Sequence, residues 1–255
     1  MNSGNDRATW LEALAVPLPD LRTIGSSFVI APHPDDESLG CGGTLAQLRA
    51  EGYAVHVVFV SDGTMSHPNS TAYPADRLRD LRESEAREAL QRLTIDPESS
   101  TFLRYRDRQV PTQEAAGFSE TAMQMAALID LHKPSTVFMP WRRDPHPDHR
   151  ACWQIGHEAL RQCSCKPRVL EYLIWLWELG DPAAMPSPDE IMVWSVPIDS
   201  VLEQRNQAIA AHRSQVSRLI DDDPTGFYLS PELLRHFEKP RELFLETRAD
   251  MPTEF

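Results

Sequence analysis

Cysteine is scarce. The four in 255 residues, Cys41, Cys152, Cys163 and Cys165, fit neither a disulfide framework nor paired C-x-x-C zinc knuckles. Free thiols are expected, since Cys163-Ser-Cys165 could chelate a metal only with two further ligands that the sequence does not place nearby. Long apolar runs are absent too: no stretch approaches the roughly 18 residues of a membrane span. The opening Met-Asn-Ser-Gly-Asn-Asp-Arg lacks the basic and then apolar regions of a secretory leader. A cytoplasmic protein is therefore expected, and the glycosylation match Asn69-Ser70-Thr71 carries no weight. Positive charge is in deficit, with 25 Lys and Arg against 38 Asp and Glu, a formal net charge of −13. That argues against a nucleic-acid partner, whose phosphates are bound largely by Lys and Arg. No internal repeat, Gly/Ser linker or break in composition forces a domain boundary, and nothing in the sequence speaks to oligomeric state.

What is present is the composition of an ordinary globular protein, 41% hydrophobic and 25% charged. At this length one core can bury most of the surface it needs. Residues 1–25, with Trp10, Leu11 and Leu14 ahead of Pro17 and Pro19, read as a lead-in helix and turn, an N-terminal extension to a single domain over 26–255. From Ser27 strand-like and helix-like stretches alternate: Phe28 to Ala31, a helix from about Ser38 to Glu51, and Val55 to Val60, a βαβ unit. A charged helix from Asp76 to Leu93, a strand near Thr101 to Tyr105, a helix from about Ser119 to Leu131 and the strand Thr136 to Met139 continue the pattern. The fold expected is α/β, a doubly wound, mostly parallel Rossmann-like sheet with helices on both faces. A helix from His149 to Cys163, strand-like runs at Val169 to Trp177 and Ile191 to Val196, and a closing helix spaced by Val201, Leu202, Ile209, Val216 and Ile220 complete it. Asp221-Asp-Asp223 and Pro224 mark the end of that last helix.

In an open parallel sheet the ligand site lies beyond the carboxyl ends of the strands. Two unusual clusters fall there: Pro32-His33-Pro34-Asp35-Asp36-Glu37 after the first strand, and His146-Pro147-Asp148-His149 after Thr136 to Met139 and Pro140-Trp141. A single His-Pro-Asp is most simply a turn whose aspartate caps the following helix. Two of them, both after strands and both carrying ionisable groups that would repel or stay unsatisfied without a cation, point instead to a metal site. A catalytic zinc needs about three His, Asp, Glu or Cys ligands and an open position for water. Of the adjacent Asp35 and Asp36, one can bind metal while the other faces the water. His146 and His149 are close enough to share the site without both being ligands.

These paired motifs resemble those of the PIG-L/LmbE-type zinc deacetylases, Ala-His-Pro-Asp-Asp-Glu and His-Pro-Asp-His. Gly40-Cys-Gly-Gly43, Ser61-Asp62-Gly63, the Arg82-Glu-Ser-Glu85-Ala86 helix, Pro140-Trp141 and Ala211-His212-Arg213-Ser214-Gln215 follow the family pattern in order. The likeness spans roughly residues 27–218. It departs at Pro32, where the family more often has alanine, a mild change in a loop leaving a strand. The resemblance implies an LmbE-like fold and a hydrolase that removes acetate from an N-acetylglucosamine-type sugar, as a small molecule or glycoconjugate. It implies that His33, Asp36 and His149 bind Zn²⁺, that Asp35 is the general base and that His146 stabilises or protonates the reacting amide. Asp148 is expected behind His146, holding it cationic, and the general acid is either Asp35 or His146. Fe²⁺ or Mn²⁺ also suits a His₂Asp set. Two alternatives stand beside this reading: hydrolysis of a different amide or ester, and a non-catalytic metal- or sugar-binding protein of the same fold, which would have no use for Asp35.

Arg82 lies on a helix dense with charge, where a solvated face is the plain explanation; the resemblance makes it a sugar contact. Asp144 could accept hydrogen bonds from sugar hydroxyls or pair with Arg142 or Arg143. Gly40-Cys-Gly-Gly43 is not a dinucleotide fingerprint, because Leu45 stands where the third glycine would be, and the glycines are expected to let the helix pack closely under the metal loop. His157-Glu158 is not a metalloprotease motif. Trp175, Trp177 and Trp194 are expected to pack on a sheet face, with sugar stacking the sharper alternative. His67 is assigned to a polar loop that could cover substrate, and His212 to pocket rim or surface.

Overall fold

The computed structural model describes residues 3–179 and 182–248. The chain begins with α1 (Ser3–Leu14) and β1 (Ala15–Pro17), and the alternating part follows: β2 (Ser27–Ala31), α2 (Asp36–Ala50), β3 (Val55–Ser61), α3 (Ala75–Arg92) and β4 (Ser100–Tyr105). Next come α4 (Phe118–His132), β5 (Thr136–Pro140), α5 (Pro147–Gln162) and β6 (Arg168–Tyr172). The last part comprises β7 (Ile191–Pro197), α6 (Leu202–Ala211), α7 (Arg213–Val216), α8 (Pro231–His236) and β8 (Arg241–Thr247). The eight strands form one sheet in the order β1-β7-β8-β6-β5-β2-β3-β4. All pairings are parallel except those of β8, which runs antiparallel between β6 and β7.

The expected doubly wound, mostly parallel sheet is therefore present, and its winding explains where a site forms. From β2 the chain steps outward to β3 and β4, then returns to β5 on the other side of β2 and steps outward again to β6. The reversal leaves β2 and β5 adjacent, with Ser27 to Val29 in register with Thr136 to Phe138. Their carboxyl ends open onto the crevice where ligands bind in such sheets. Both motif strands are fully buried, and their side chains alternate between two cores. Val29 and Ala31 face the layer containing Leu45, Ala86 and Ala208 of α2, α3 and α6, whereas Phe28 and Ile30 face Met125, Ile129 and Ile155 of α4 and α5.

Gly40 of α2 shows how closely a helix lies beneath the crevice. A Cβ there would stand 2.4 Å from the ring of Tyr172, which is itself fully buried and tied through its hydroxyl to the carbonyl of Ile30. Close packing of the helix under the loop that follows β2 is what the glycine run led one to expect.

Four expectations need correcting. The strand-like run to Trp177 stops at Tyr172, and Trp175–Trp177 form a 3₁₀ turn, because a buried apolar run does not distinguish a strand from a packed turn. The late helix does not continue to Ile220: it breaks at His212, whose φ of −78° and ψ of 55° are not helical. Nor does it close the domain, since α8 and β8 follow it. The lead-in is more than a helix and turn, because β1 pairs with β7 and Leu11 lies in the main core. Among the described residues no helix is long and apolar enough to cross a membrane.

Candidate active site

The helices after β2 and β5 begin earlier than their hydrophobic patterns indicate, at Asp36 and Pro147. Asp36, Glu37, Asp148 and His149 therefore occupy first helical turns, where backbone N–H groups favour negative charge. Asp35 precedes α2 but makes no side-chain cap, so the simple capping explanation fails for it. Its φ of 140° and ψ of −28° are outside the regions a residue with a Cβ normally occupies, a strain of about 1–3 kcal/mol that surrounding contacts must hold. His146, by contrast, does cap α5, its Nδ1 accepting the N–H of Asp148 at 3.2 Å.

Three side chains converge between the two loops. Asp36 Oδ2 lies 3.3 Å from His33 Nδ1 and 3.3 Å from His149 Nε2. Ligand atoms on a tetrahedral zinc with bonds of about 2.0–2.1 Å stand about 3.3 Å apart, so this spacing fits such an ion. Both ring nitrogens of His149 are buried and make no hydrogen bond of good geometry. Both histidines are backed by carboxylate: His33 Nε2 lies 3.3 Å from both Asp107 Oδ1 and Asp148 Oδ2, and His149 Nδ1 lies 3.4 Å from Asp144 Oδ1. This outer ring fixes which nitrogen each imidazole presents inward. His33, His146 and His149 offer ligand atoms within 4.8 Å of one another, and these, the unbonded buried nitrogens of His149 and the surrounding carboxylates together fit a divalent cation.

The electrostatics separate the adjacent aspartates. Burial raises both carboxyls, but His149 and His33 outweigh it for Asp36 and hold it well below the usual carboxylate range. For Asp35 burial prevails, helped by Asp36 and opposed by Arg82, and its pKa is pushed up to about 6. Burial also lowers His146, to about 4, aided by the neighbouring His33 and His149. His149 is disfavoured as a cation by burial but raised to about 9 by Asp36 and Asp144. Local carboxylates thus favour the cationic form of His149, while burial favours the neutral form of His146.

A cavity of about 310 Å³ opens above these groups. Its lining combines the polar His33, Asp35, Asp36, Asp107 and His146 with the apolar Trp175, Phe227, Leu229, Ile174 and Met65. Trp175 does not pack on the sheet as expected; the turn after β6 carries it to the cavity, stacked on His146 at 6.3 Å with Phe227 5.6 Å away. Trp177 is buried against His236, and Trp194, on β7, donates to Glu246.

The structure brings His33, Asp35, Asp36, His146 and His149 together, and it relocates three other expected residues. Asp144 is fully buried behind His149, accepting the N–H groups of His146 and Trp175, so it does not face a sugar; Arg142 and Arg143 pair with Glu190 instead. The Asp148 carboxylate reaches His33 and the N–H of Arg108, and only its backbone touches His146. Arg82 lines the cavity, but its guanidinium donates to Gly63 O, Pro34 O and Asp35 Oδ2, making it a brace for Asp35 rather than a free contact. His67 is buried outside the cavity lining, in a loop tied to Asp222 and Asp223 through Asn69, Ser70 and Thr71. Away from the site, Asp130 comes within 4.8 Å of Cys163 and Cys165, but its Oδ1 is occupied by the N–H and hydroxyl of Ser164.

Asp107, Glu37 and a buried His212 were not singled out as site residues. Asp107 follows β4 directly, so the strand-end rule that found the other two clusters could have found it. His212 neither rims the pocket nor reaches the surface: it is 1% exposed and bonded to Glu37.

Comparison with known proteins agrees with this architecture. The chain is 27% identical over 240 residues, covering 79% of its length and 85% of the relative, to the 1D-myo-inositol 2-acetamido-2-deoxy-alpha-D-glucopyranoside deacetylase of Mycobacteroides abscessus. Its fold matches N,N'-diacetylchitobiose deacetylase from Pyrococcus horikoshii with a TM-score of 0.59 at 22% identity, over 89% of this chain and 78% of that one. It also matches a 4-carboxy-2-hydroxymuconate hydratase from Pseudomonas putida, with a TM-score of 0.63 at 18% identity, over 91% of this chain and 99% of that one. At such identities a structural likeness establishes the fold alone. Residues 28–160, slightly more than half of the chain and including both His/Asp motifs, match the family described as PIG-L, GlcNAc-PI de-N-acetylase, and the chain belongs to that family.

Proposed function

We propose that this protein is a metal-dependent deacetylase that removes the acetyl group from an N-acetylglucosamine-type sugar or glycoconjugate. The observation that carries the reading is the convergence of His33 Nδ1 and His149 Nε2 on Asp36 Oδ2, with the strained, raised-pKa Asp35 in the same cavity. Relatives named as deacetylases of 2-acetamido sugars support the substrate class. His33, Asp36 and His149 would hold Zn²⁺, with Fe²⁺ or Mn²⁺ also suited to the donor set. Such an ion, when bound, acidifies a water and polarises the acetyl carbonyl.

The chain's own residues do the rest. Asp35, with a pKa near 6, takes the proton of the attacking water and returns it to the departing amine, since a group that titrates near neutrality serves in both directions. Arg82 keeps the Asp35 carboxylate aimed while it does so. His146 has its Nδ1 occupied by the Asp148 N–H, so its Nε2 carries the hydrogen and donates to the carbonyl oxygen as negative charge develops there. A neutral His146 is a hydrogen-bond donor and not the acid, which leaves the amine proton to Asp35. Asp107, Asp144 and Asp148 hold the ligand histidines in orientation.

A purely binding role would leave the strain and raised pKa of Asp35 without purpose. The test is to load the protein with Zn²⁺ and assay acetate release from a panel of N-acetylglucosaminides. Release from at least one member is expected; a protein that binds panel members yet frees no acetate would be a binding protein.

A further inference from the structure

The Asp35 carbonyl accepts the N–H groups of Ser38 and Leu39 at the start of α2, and Arg82 holds its carboxylate; its own N–H has a separate partner. The Asp35 N–H donates to Glu37 Oε2 at 3.1 Å. Glu37 is completely buried, and its other oxygen, Oε1, accepts the Ser38 hydroxyl at 2.5 Å and faces His212 Nε2 at 3.1 Å. His212 arrives from 177 positions further along the chain than Asp35, at the break between α6 and α7, and is 1% exposed. A buried carboxylate is costly unless its oxygens are satisfied, and beside the Asp35 N–H and the Ser38 hydroxyl it is His212, from a distant part of the chain, that faces Glu37. The break in the helix is what allows this contact: a residue with ψ of 55° has left the helical path.

We propose that His212, acting through Glu37, is a positioning residue that holds the backbone of Asp35 in the strained conformation its role as base requires. The inference rests on the reading of Asp35 as that base. His212 does not line the cavity; it reaches the Asp35 backbone through the Glu37 carboxylate, and its charge also favours the ionised Asp35. The same junction has a second anchor that bypasses Asp35: Ser214 donates its N–H to Glu85 Oε1 at 2.9 Å and its hydroxyl to Glu85 Oε2 at 2.6 Å. The two anchors make it possible to separate positioning of the base from stability of the junction.

His212→Leu removes the donor to Glu37 and is expected to lower kcat by about 10 to 100-fold, the range usual for residues that orient a catalytic or ligand group, with KM and metal content unchanged. His212→Gln, whose amide can still donate to Glu37, is expected to recover most of the rate, and Ser214→Ala, which weakens only the second anchor, to stay within about threefold of the parent. In an Asp35→Asn background His212→Leu should have no further effect on kcat, because residues acting as a unit are not additive. A crystal structure of His212→Leu provides a readout that needs no turnover: Asp35 is expected to leave the region near φ 140°. If His212→Leu does not fold, Glu37→Gln, which removes one accepting oxygen, tests the same link by the same two readouts. An equal loss in Ser214→Ala, no recovery in His212→Gln, or an Asp35 backbone and kcat unchanged in His212→Leu would each overturn the proposal. Absence of any turnover in the parent would instead refute the hydrolase reading and leave the crystallographic comparison standing.

Discussion

Asp35 and Asp36 are neighbours in the chain, both buried, and their environments drive them apart: Asp36 is held as a carboxylate by two histidines, while Asp35 is raised to about 6 by burial. Neighbouring titratable groups pushed in opposite directions suit separate roles. The sign of the resulting pH dependence can be worked out. Asp35 must be ionised to accept a proton, so kcat/KM should rise with pH through an acid limb, and a bound cation lowers that carboxyl further. The midpoint should therefore lie no higher than about pH 6. His146, lowered to about 4, is neutral across the working range, so no loss of rate should follow between pH 6 and 8. A fall in that window, as a cationic His146 acting as the acid would produce, would contradict the assignment. His33, Asp35, Asp36 and His149 were legible as residue types following strands. Asp144, Asp148 and Arg82 were legible as members of the site but not in what they face, because a carboxylate two residues from a histidine can point to either side of the loop. Glu37 and His212 meet only in three dimensions, and neither end of that pair carries a local signal of the other.

At the scale of elements, the alternation of apolar strands with helices was readable because each parallel strand is buried on both faces and each helix covers one. The strands added at the other edge were not. β8 reads Arg-Glu-Leu-Phe-Leu-Glu-Thr, three apolar residues among charges, and becomes an interior strand only because its Glu242 is received by the backbone of Gly43 and Thr44 and its Glu246 by Arg168 and Trp194. β1 is too short to show a period. The helix break at His212 was hidden because Val201, Leu202, Ile209 and Val216 keep helical spacing on either side of it. Contact between elements also sets a testable tolerance. Alanine at Gly40 would gain up to about 1 kcal/mol in helix propensity, but its Cβ meets the Tyr172 ring at 2.4 Å, and that ring is pinned by its hydroxyl. Gly40→Ala should destabilise the fold by about 1–3 kcal/mol, the usual cost of overpacking a fitted core. Denaturant unfolding measures it, and an unchanged or raised midpoint would show that α2 has room to move.

At the scale of the whole molecule, one buried group makes stability depend on pH at a distance from the chemistry. Glu171 of β6 is 2% exposed, and burial raises it to about 7 against the opposing pull of Arg142 and its bond to Trp153, from an ordinary value of 4.5. A carboxyl raised on folding contributes stability fully present below pH 4.5 and lost as the pH rises through 7. Glu171→Gln, which cannot ionise, should therefore gain stability over the parent as pH rises from 4.5 to 7, by an amount on the order of 3 kcal/mol. Thermal melts across that range would read it, and a difference independent of pH would contradict the burial argument. The chain as a whole is organised so that β2 and β5, brought side by side by the winding, deliver His33, Asp35, Asp36, His146 and His149 to one crevice, where we propose that three hold a metal, Asp35 moves the proton and His146 donates a hydrogen bond. The claim that these jobs are separate is tested most directly by measuring bound metal and acetate release on the same preparation of Asp35→Asn. The account predicts metal stoichiometry equal to the parent's with acetate release lowered by at least about 10²-fold, at the lower end of what positioned acid–base groups contribute; retention of the parent's rate, or loss of the metal along with it, would contradict it.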